Sequence, residues 1–221
     1  MPAESALRDG VGPGLGLIET LRWQPGEGFV RLDRHLARLC ASARTLGLAC
    51  APDRVVSALR QAAGESEAPL RMRLLLSRDG GIEVTAHPYQ ALPEGRVWTL
   101  RLARMTRLSS ADPLLRHKTG RRDAYLRARA EYAPAEADEV LLANERDELC
   151  EGTITTLFAD FGDGVLATPR LDCGLLAGVL RAEMLEDGRA REAVFGVGEL
   201  KSATALFVGN SLRGLIPARL G

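Results

Sequence analysis

Residues 137–158 read ADEVLLANERDELCEGTITTLF, and the fold turns on how this stretch is read. DEVLLAN (138–144) holds a short apolar run, and DELCEGTITTLFADF (147–161) follows it behind a charged turn. The first is short for a helix and the second is rich in Thr, Ile and Phe, which favour extended chain, so they read as two strands. Upstream, HKTGRRDAYLRARAEYAP (117–134) predicts a basic helix beginning near Arg121. Downstream, the Gly162-Asp163-Gly164 turn leads into a strand, VLATP. GLLAGVLRAEML (174–185) then predicts a loop running into a helix at about Gly178, and ATALFVGNSLRGLIPARL (203–220) reads as strand and turn.

The first half is built the same way. LIETLRWQPGEGFVRLD (17–33) predicts a hairpin around a Pro-Gly turn. Asp33 is a good N-cap for a helix with apolar positions Leu36, Leu39, Cys40, Ala43 and Leu46, ended by Gly47. A second helix is expected from about Pro52 to Ala63. LRMRLLLSRDGGIEVTAHPY gives two strands around residues 78–81, and RVWTLRLA (96–103) gives another. The glycine-rich segment at residues 9–16 leads into a strand where a phosphate-cradling loop needs a helix, so it reads as a flexible leading segment. The expectation is an α+β protein of two small α+β domains, 1–103 and 118–221, joined by a connector over 104–117 that holds Pro113. A ligand site in the cleft between them follows from that arrangement.

Composition narrows the function. Lys and Arg total 29, as do Asp and Glu, so no net field favours nucleic acid or an acidic membrane. No apolar run approaches the ~20 residues that span a bilayer. The four cysteines are widely spread and form no C-x-x-C pair, which reads as reduced thiols in a soluble, cytoplasmic protein. The three histidines lack metal-ligand spacing, so no metal site is expected.

Lys118 and Lys201 are the only lysines in a chain whose basic side chains are otherwise arginine. Lys118 lies among Arg116, His117, Arg121 and Arg122. That is either a solvated helix start or an amine whose pKa is lowered for imine formation. Glu151 sits inside a strand-like run, as an exposed hairpin residue or as a buried acceptor for a protonated ring nitrogen. Arg38, one turn after Arg34, is either a surface arginine or a two-pronged phosphate ligand. Gly178-Val179-Leu180 opens a helix, where unsatisfied N–H groups favour an anion, and Ser211 beside Asn210 could add a hydroxyl.

In order along the chain, LIETLRW, LDRHLARLCASARTLGL, HKTGRRDAY, ADEVLLANERDELCEGTITTLF, LATPRLDCGLLAGVLR and VGNSLRGLIPARL resemble the class IV aminotransferase family, the fold-type IV pyridoxal 5'-phosphate (PLP) enzymes. The resemblance implies a PLP site in the expected cleft, with Lys118 as the Schiff-base lysine and Glu151 as partner of the pyridine nitrogen. It implies that Arg38, the backbone of Val179 and Leu180, and Ser211 with its neighbour Asn210 hold the phosphate end. Tyr125 lies near a tyrosine that contacts the cofactor in some relatives, although it follows Lys118 by seven residues, more than is usual. Thr156 stands where an asparagine is usual, and the leading strands of the family are missing at the start.

The truncated start, LIETLRW and GNSLRGLIPA are closest to the 4-amino-4-deoxychorismate lyases of that family. The implied reaction yields p-aminobenzoate and pyruvate for folate biosynthesis, from a small amino substrate bearing carboxylates. Arg71, Arg73, Arg107 and Arg122 are candidates to bind those carboxylates. Two alternatives stay open, an aminotransferase for branched-chain or D-amino acids and a catalytically silent PLP-binding paralogue. The family also implies a homodimer.

Overall fold

The computed structural model describes residues 16–221, and two compact units divide the chain. Unit 1 comprises the described residues up to Ala91 together with His117–Arg121, and unit 2 comprises Leu92–Arg116 and Arg122–Gly221. The glycine-rich leading segment, apart from Gly16, lies outside the described residues.

Unit 1 is a four-stranded antiparallel sheet in the order β2-β1-β3-β4 with two helices. Its strands are β1 (Leu17–Gln24), β2 (Gly28–Phe29), β3 (Leu70–Leu76) and β4 (Ile82–Pro88), so both expected hairpins form. Strand alternation sorts the side chains. Leu17, Leu21, Met72, Leu74 and Leu76 are buried, whereas Arg71 and Arg73 are exposed. Helix α1 (Leu32–Leu46) begins one residue before the expected cap: Arg31 takes the left-handed N-cap position and Asp33 falls in the first turn. There its carboxylate favours the helix dipole without closing the end by a side-chain bond. Helix α2 runs Pro52–Ala63 as expected, with proline at its start, where a missing N–H costs nothing.

Unit 2 is built on an eight-stranded mixed sheet in the order β10-β9-β8-β11-β12-β5-β6-β7. In chain order the strands are β5 (Trp98–Leu108), β6 (Glu139–Asn144), β7 (Leu149–Gly152), β8 (Thr156–Asp160), β9 (Leu166–Pro169), β10 (Ala190–Ala193), β11 (Ala205–Asn210) and β12 (Gly214–Leu220). Helices α3 (Asp123–Ala130), α4 (Val179–Glu186) and α5 (Val197–Leu200) complete it. Every residue of β6 is buried because both sheet faces are covered, which is why its sequence runs apolar instead of alternating. Leu141 and Ala143 pack with Trp98, Leu157 and Phe195 on one side. Val140 and Leu142 pack with Tyr125, Ala128 and Tyr132 on the other.

The unit boundaries differ from the expected division at 103 and 118. RVWTLRLA is not the last strand of the first unit: β5 pairs in parallel with β6 and β12, inside the second sheet. It also runs on to Leu108, through the first part of the expected connector. Its register breaks between Leu102 and Arg107, and the Glu131 carboxylate accepts there from the amides of Arg104, Met105 and Thr106 and from the Thr106 hydroxyl. That side chain satisfies the backbone donors the ladder loses at the bulge. Residues 117–121 go with unit 1 because the Ile18 amide donates to the Lys118 carbonyl at 2.7 Å and the Gly120 amide to the Gly16 carbonyl at 3.0 Å.

Candidate active site

Each unit carries its own group of candidate side chains. In unit 1, Lys118 is half-buried on an extended segment laid against the start of β1, where Thr119 forms a bridge with Leu17. The His117 ring Nδ1 lies 2.9 Å from the Ser42 hydroxyl of α1, so both flanks of Lys118 are anchored. Arg38 is on the same α1, and its orientation is set by Glu19 of β1. Arg38 Nε donates to Glu19 Oε1 at 2.9 Å and Nη2 to Oε2 at 2.5 Å, a two-pronged ion pair. His35 Nδ1, one helical turn away, meets the same Oε2 at 2.6 Å.

Glu19 is only 3% exposed. Burial alone would raise its pKa, but the charge of Arg38 and the hydrogen bonds from His35 and Arg38 outweigh that and hold the carboxyl at about 2. Glu19 was not singled out in the sequence, although strand alternation puts it on the face of Leu17 and Leu21, where a carboxylate is out of place unless paired.

Glu151 in unit 2 is buried, so it is not an exposed hairpin residue. The means is a β-bulge. Ala143 pairs with Leu149 and Leu142 with Glu151, so Cys150 is an extra residue that turns Glu151 to the Leu142 face. There the Tyr125 hydroxyl of α3 donates to Glu151 Oε1 at 2.6 Å, and the Leu176 amide donates to the same oxygen at 3.2 Å. Burial and the neighbouring Glu151 charge push the Tyr125 phenol far above its ordinary value, so it stays a donor. The Arg122 guanidinium lies 4.7 Å from the centre of the Tyr125 ring and donates to the Thr153 carbonyl. This pins Arg122 structurally, and Arg107, bonded to the Ala103 carbonyl at 3.0 Å, is likewise engaged.

The Glu-Gly-Thr turn after the bulge is organised by Glu139, a residue not singled out in the sequence. Its fully buried carboxylate accepts from the amides of Thr153 and Ile154 and from the hydroxyls of Thr153 and Thr155, at 2.5–3.1 Å. Gly152 is needed here for close approach: a Cβ at that position would fall 2.7 Å from Glu139 Oε2.

A third group in unit 2 gathers at the start of α4. Gly178 is its N-cap and no side chain caps the helix, while Val179 and Leu180, its first two residues, are buried. A Cβ on Gly178 would lie 2.8 Å from Thr156 Oγ1, so the residue standing in the asparagine position packs against this helix start. A Cβ on Gly209 would lie 2.7 Å from Leu180 Cδ2, which brings the β11–β12 turn alongside. That turn holds the buried Ser211, and Asn210 braces it by donating to the Ile154 carbonyl at 3.2 Å and accepting from the Arg213 amide at 3.0 Å. A buried helix start with a hydroxyl turn beside it suits a phosphate. A buried carboxylate fixed by a tyrosine suits a protonated ring nitrogen. The structure thus brings Glu151 with Tyr125, and Val179 and Leu180 with the turn of Ser211 and Asn210, inside unit 2, and places Arg38 and Lys118 in unit 1. Among the described residues no group of His, Cys, Asp and Glu could hold a metal ion, and no helix is long and apolar enough to cross a membrane.

The family model for amino-transferase class IV matches residues 16–220. A crystal structure of a proposed amino-acid aminotransferase from Mesorhizobium loti is 62% identical, with a TM-score of 0.92, over 94% of this chain and all of that one. A proposed aminodeoxychorismate lyase from Schizosaccharomyces pombe is 31% identical over 89% of this chain and 86% of its own length. The crystal structure of 4-amino-4-deoxychorismate lyase from Pseudomonas aeruginosa is 28% identical, with a TM-score of 0.79, over 93% of this chain and 82% of that one.

Proposed function

The chain belongs to the class IV aminotransferase family of pyridoxal-phosphate enzymes, and from that premise we propose that it is a 4-amino-4-deoxychorismate lyase releasing p-aminobenzoate and pyruvate. The observation that carries this reading is the outer face of the unit 1 sheet. Arg71 and Arg73 stand exposed on β3, with Arg22 and His87 paired to Arg71 in one row across β1, β3 and β4. Like charges set directly opposite one another across strands destabilise a sheet. A substrate with two carboxylates supplies the anions that such a row lacks, through paired guanidinium contacts.

The residues fit the cofactor. PLP, when bound, supplies an electron sink for the carbon that bears the substrate amine. Lys118 is the amine that carries the cofactor and takes the proton from that carbon. Glu151, held by Tyr125, keeps the ring nitrogen protonated. In unit 2 the start of α4 and Ser211 would receive the phosphate, and Arg38, held by Glu19 in unit 1, is the arginine that the family resemblance assigns to it. We assign the enzyme to folate biosynthesis in the cytoplasm, as a homodimer. Met105, Leu126 and Ile154, at 87%, 64% and 53% exposure, are apolar side chains of the kind a subunit interface covers.

One observation favours a second reading. The 62% identical Mesorhizobium loti protein is named an amino-acid aminotransferase. In that reaction Lys118 would return the proton to the cofactor, and an amino-acid and keto-acid pair would replace the lyase substrate. The two readings separate when PLP-loaded protein is given freshly made 4-amino-4-deoxychorismate while pyruvate and p-aminobenzoate are followed together. Equal release of both supports the lyase. Neither product, with glutamate formed from leucine or D-alanine and 2-oxoglutarate, overturns it in favour of the aminotransferase.

A further inference from the structure

Cys40 and Cys50 are ten positions apart in sequence, yet their sulfurs lie 2.9 Å apart. The backbone brings them together. Gly47 takes the left-handed conformation at the end of α1, the Leu48 amide donates to the Ala43 carbonyl at 2.8 Å, and the Leu48 side chain is buried. The chain is thereby folded back along the last turns of α1. Pro52 then fixes the start of α2, so Cys50 is held between two rigid points. Both cysteines are half-buried, within reach of a small reagent, whereas Cys150 and Cys173 are fully buried. Burial and the adjacent Cys40 sulfur push the Cys50 thiol up to about 12, so Cys50 keeps its proton at neutral pH.

We propose that Cys40 and Cys50 are a dithiol–disulfide site, which a small-molecule disulfide of the glutathione class converts to an intramolecular bond stapling the loop after α1 to the helix. A disulfide requires sulfurs about 2.05 Å apart, so less than an ångström of closure is needed. The Cys40 thiolate attacks one sulfur of the reagent, forming a mixed disulfide and expelling one thiolate, which takes up a proton. Cys50 loses its proton and attacks the Cys40 sulfur, forming the internal bond and expelling the second thiol. The cysteines lose two electrons and two protons together, and the reagent is reduced to two thiols. The bond would tighten the end of the helix that carries Arg38, and the inference does not depend on the assigned reaction.

The test uses PLP-loaded protein equilibrated in oxidised and reduced glutathione, then denatured, alkylated and mapped by mass spectrometry. The expected result is loss of two hydrogens, a Cys40–Cys50 linked peptide, and alkylation confined to Cys150 and Cys173. Closing a loop of this length should raise the melting temperature by roughly 5–10 °C, an increase reversed by dithiothreitol. The Cys40→Ser and Cys50→Ser variants should lack both the link and the shift. Four alkylated cysteines after prolonged oxidation, or glutathione adducts without the internal link, would overturn the proposal. So would an equal thermal shift in the serine variants.

Discussion

Replacing Glu19 by Gln keeps its size and removes only its charge, which isolates the ion pair beneath Arg38. The carboxyl is held at about 2 instead of 4.5. At 1.36 kcal/mol per pH unit, that depression corresponds to roughly 3 kcal/mol of folding free energy carried by the ionised form. Because the folded pKa lies below the unfolded one, this contribution is complete above about pH 4.5 and is lost as pH falls from there through about 2. Glu19→Gln should therefore lose about 3 kcal/mol at neutral pH, and its stability should depend less on pH within that acid window. In a chain of this size, the melting temperature should fall by roughly 6–12 °C. Urea melts at pH 7 and at steps down to pH 3 measure the free energy directly. PLP titrations should also show weaker binding, since the glutamine amide can accept only one of the two bonds that Glu19 accepts from Arg38. An E19Q protein with unchanged melting and unchanged PLP affinity at pH 7 would refute this reasoning.

Tyr125→Phe removes the 2.6 Å bond to Glu151 and leaves the ring under Arg122, so turnover should drop by about tenfold or more while the fold survives. Ultraviolet titration of the parent protein should show that Tyr125 forms no phenolate until the protein unfolds in alkali, because burial and the Glu151 charge both hold its proton on. Gly152→Ala puts a methyl group 2.7 Å from Glu139 Oε2, and the resulting overpacking should cost about 1–3 kcal/mol in a denaturant melt. The same variant should lose activity, since the turn it displaces follows directly on Glu151.

Much of this architecture was legible from local pattern. DEVLLAN predicted a strand because burial on both faces leaves no alternation, and Pro52 with Gly64 marked both ends of α2. Gly178 likewise marked the start of α4, because the apolar run of that helix begins directly after it. What was not legible depends on partners distant in sequence. The polar stretch after residue 103 looked like a connector because nothing local shows that Glu131 would satisfy the bulged end of β5. The burial of Glu151 depends on an extra residue at Cys150, and a bulge leaves no periodic trace. Glu139 looked like one more charge beside Asp138 until the Thr153–Thr155 turn closed over it. Cys40 and Cys50 looked unrelated because their meeting requires the left-handed turn at Gly47. Glu19 was within reach of sequence reasoning, since its parity along β1 alone assigns it to the buried face.

The central claim is that Lys118 carries pyridoxal phosphate, and the presence of only two lysines makes the test clean. The protein is incubated with PLP, reduced with borohydride, digested and mapped by mass spectrometry. The account predicts the reduced pyridoxyl group on Lys118 and none on the exposed Lys201. A label on Lys201, an equal label on both, or none at all would contradict it.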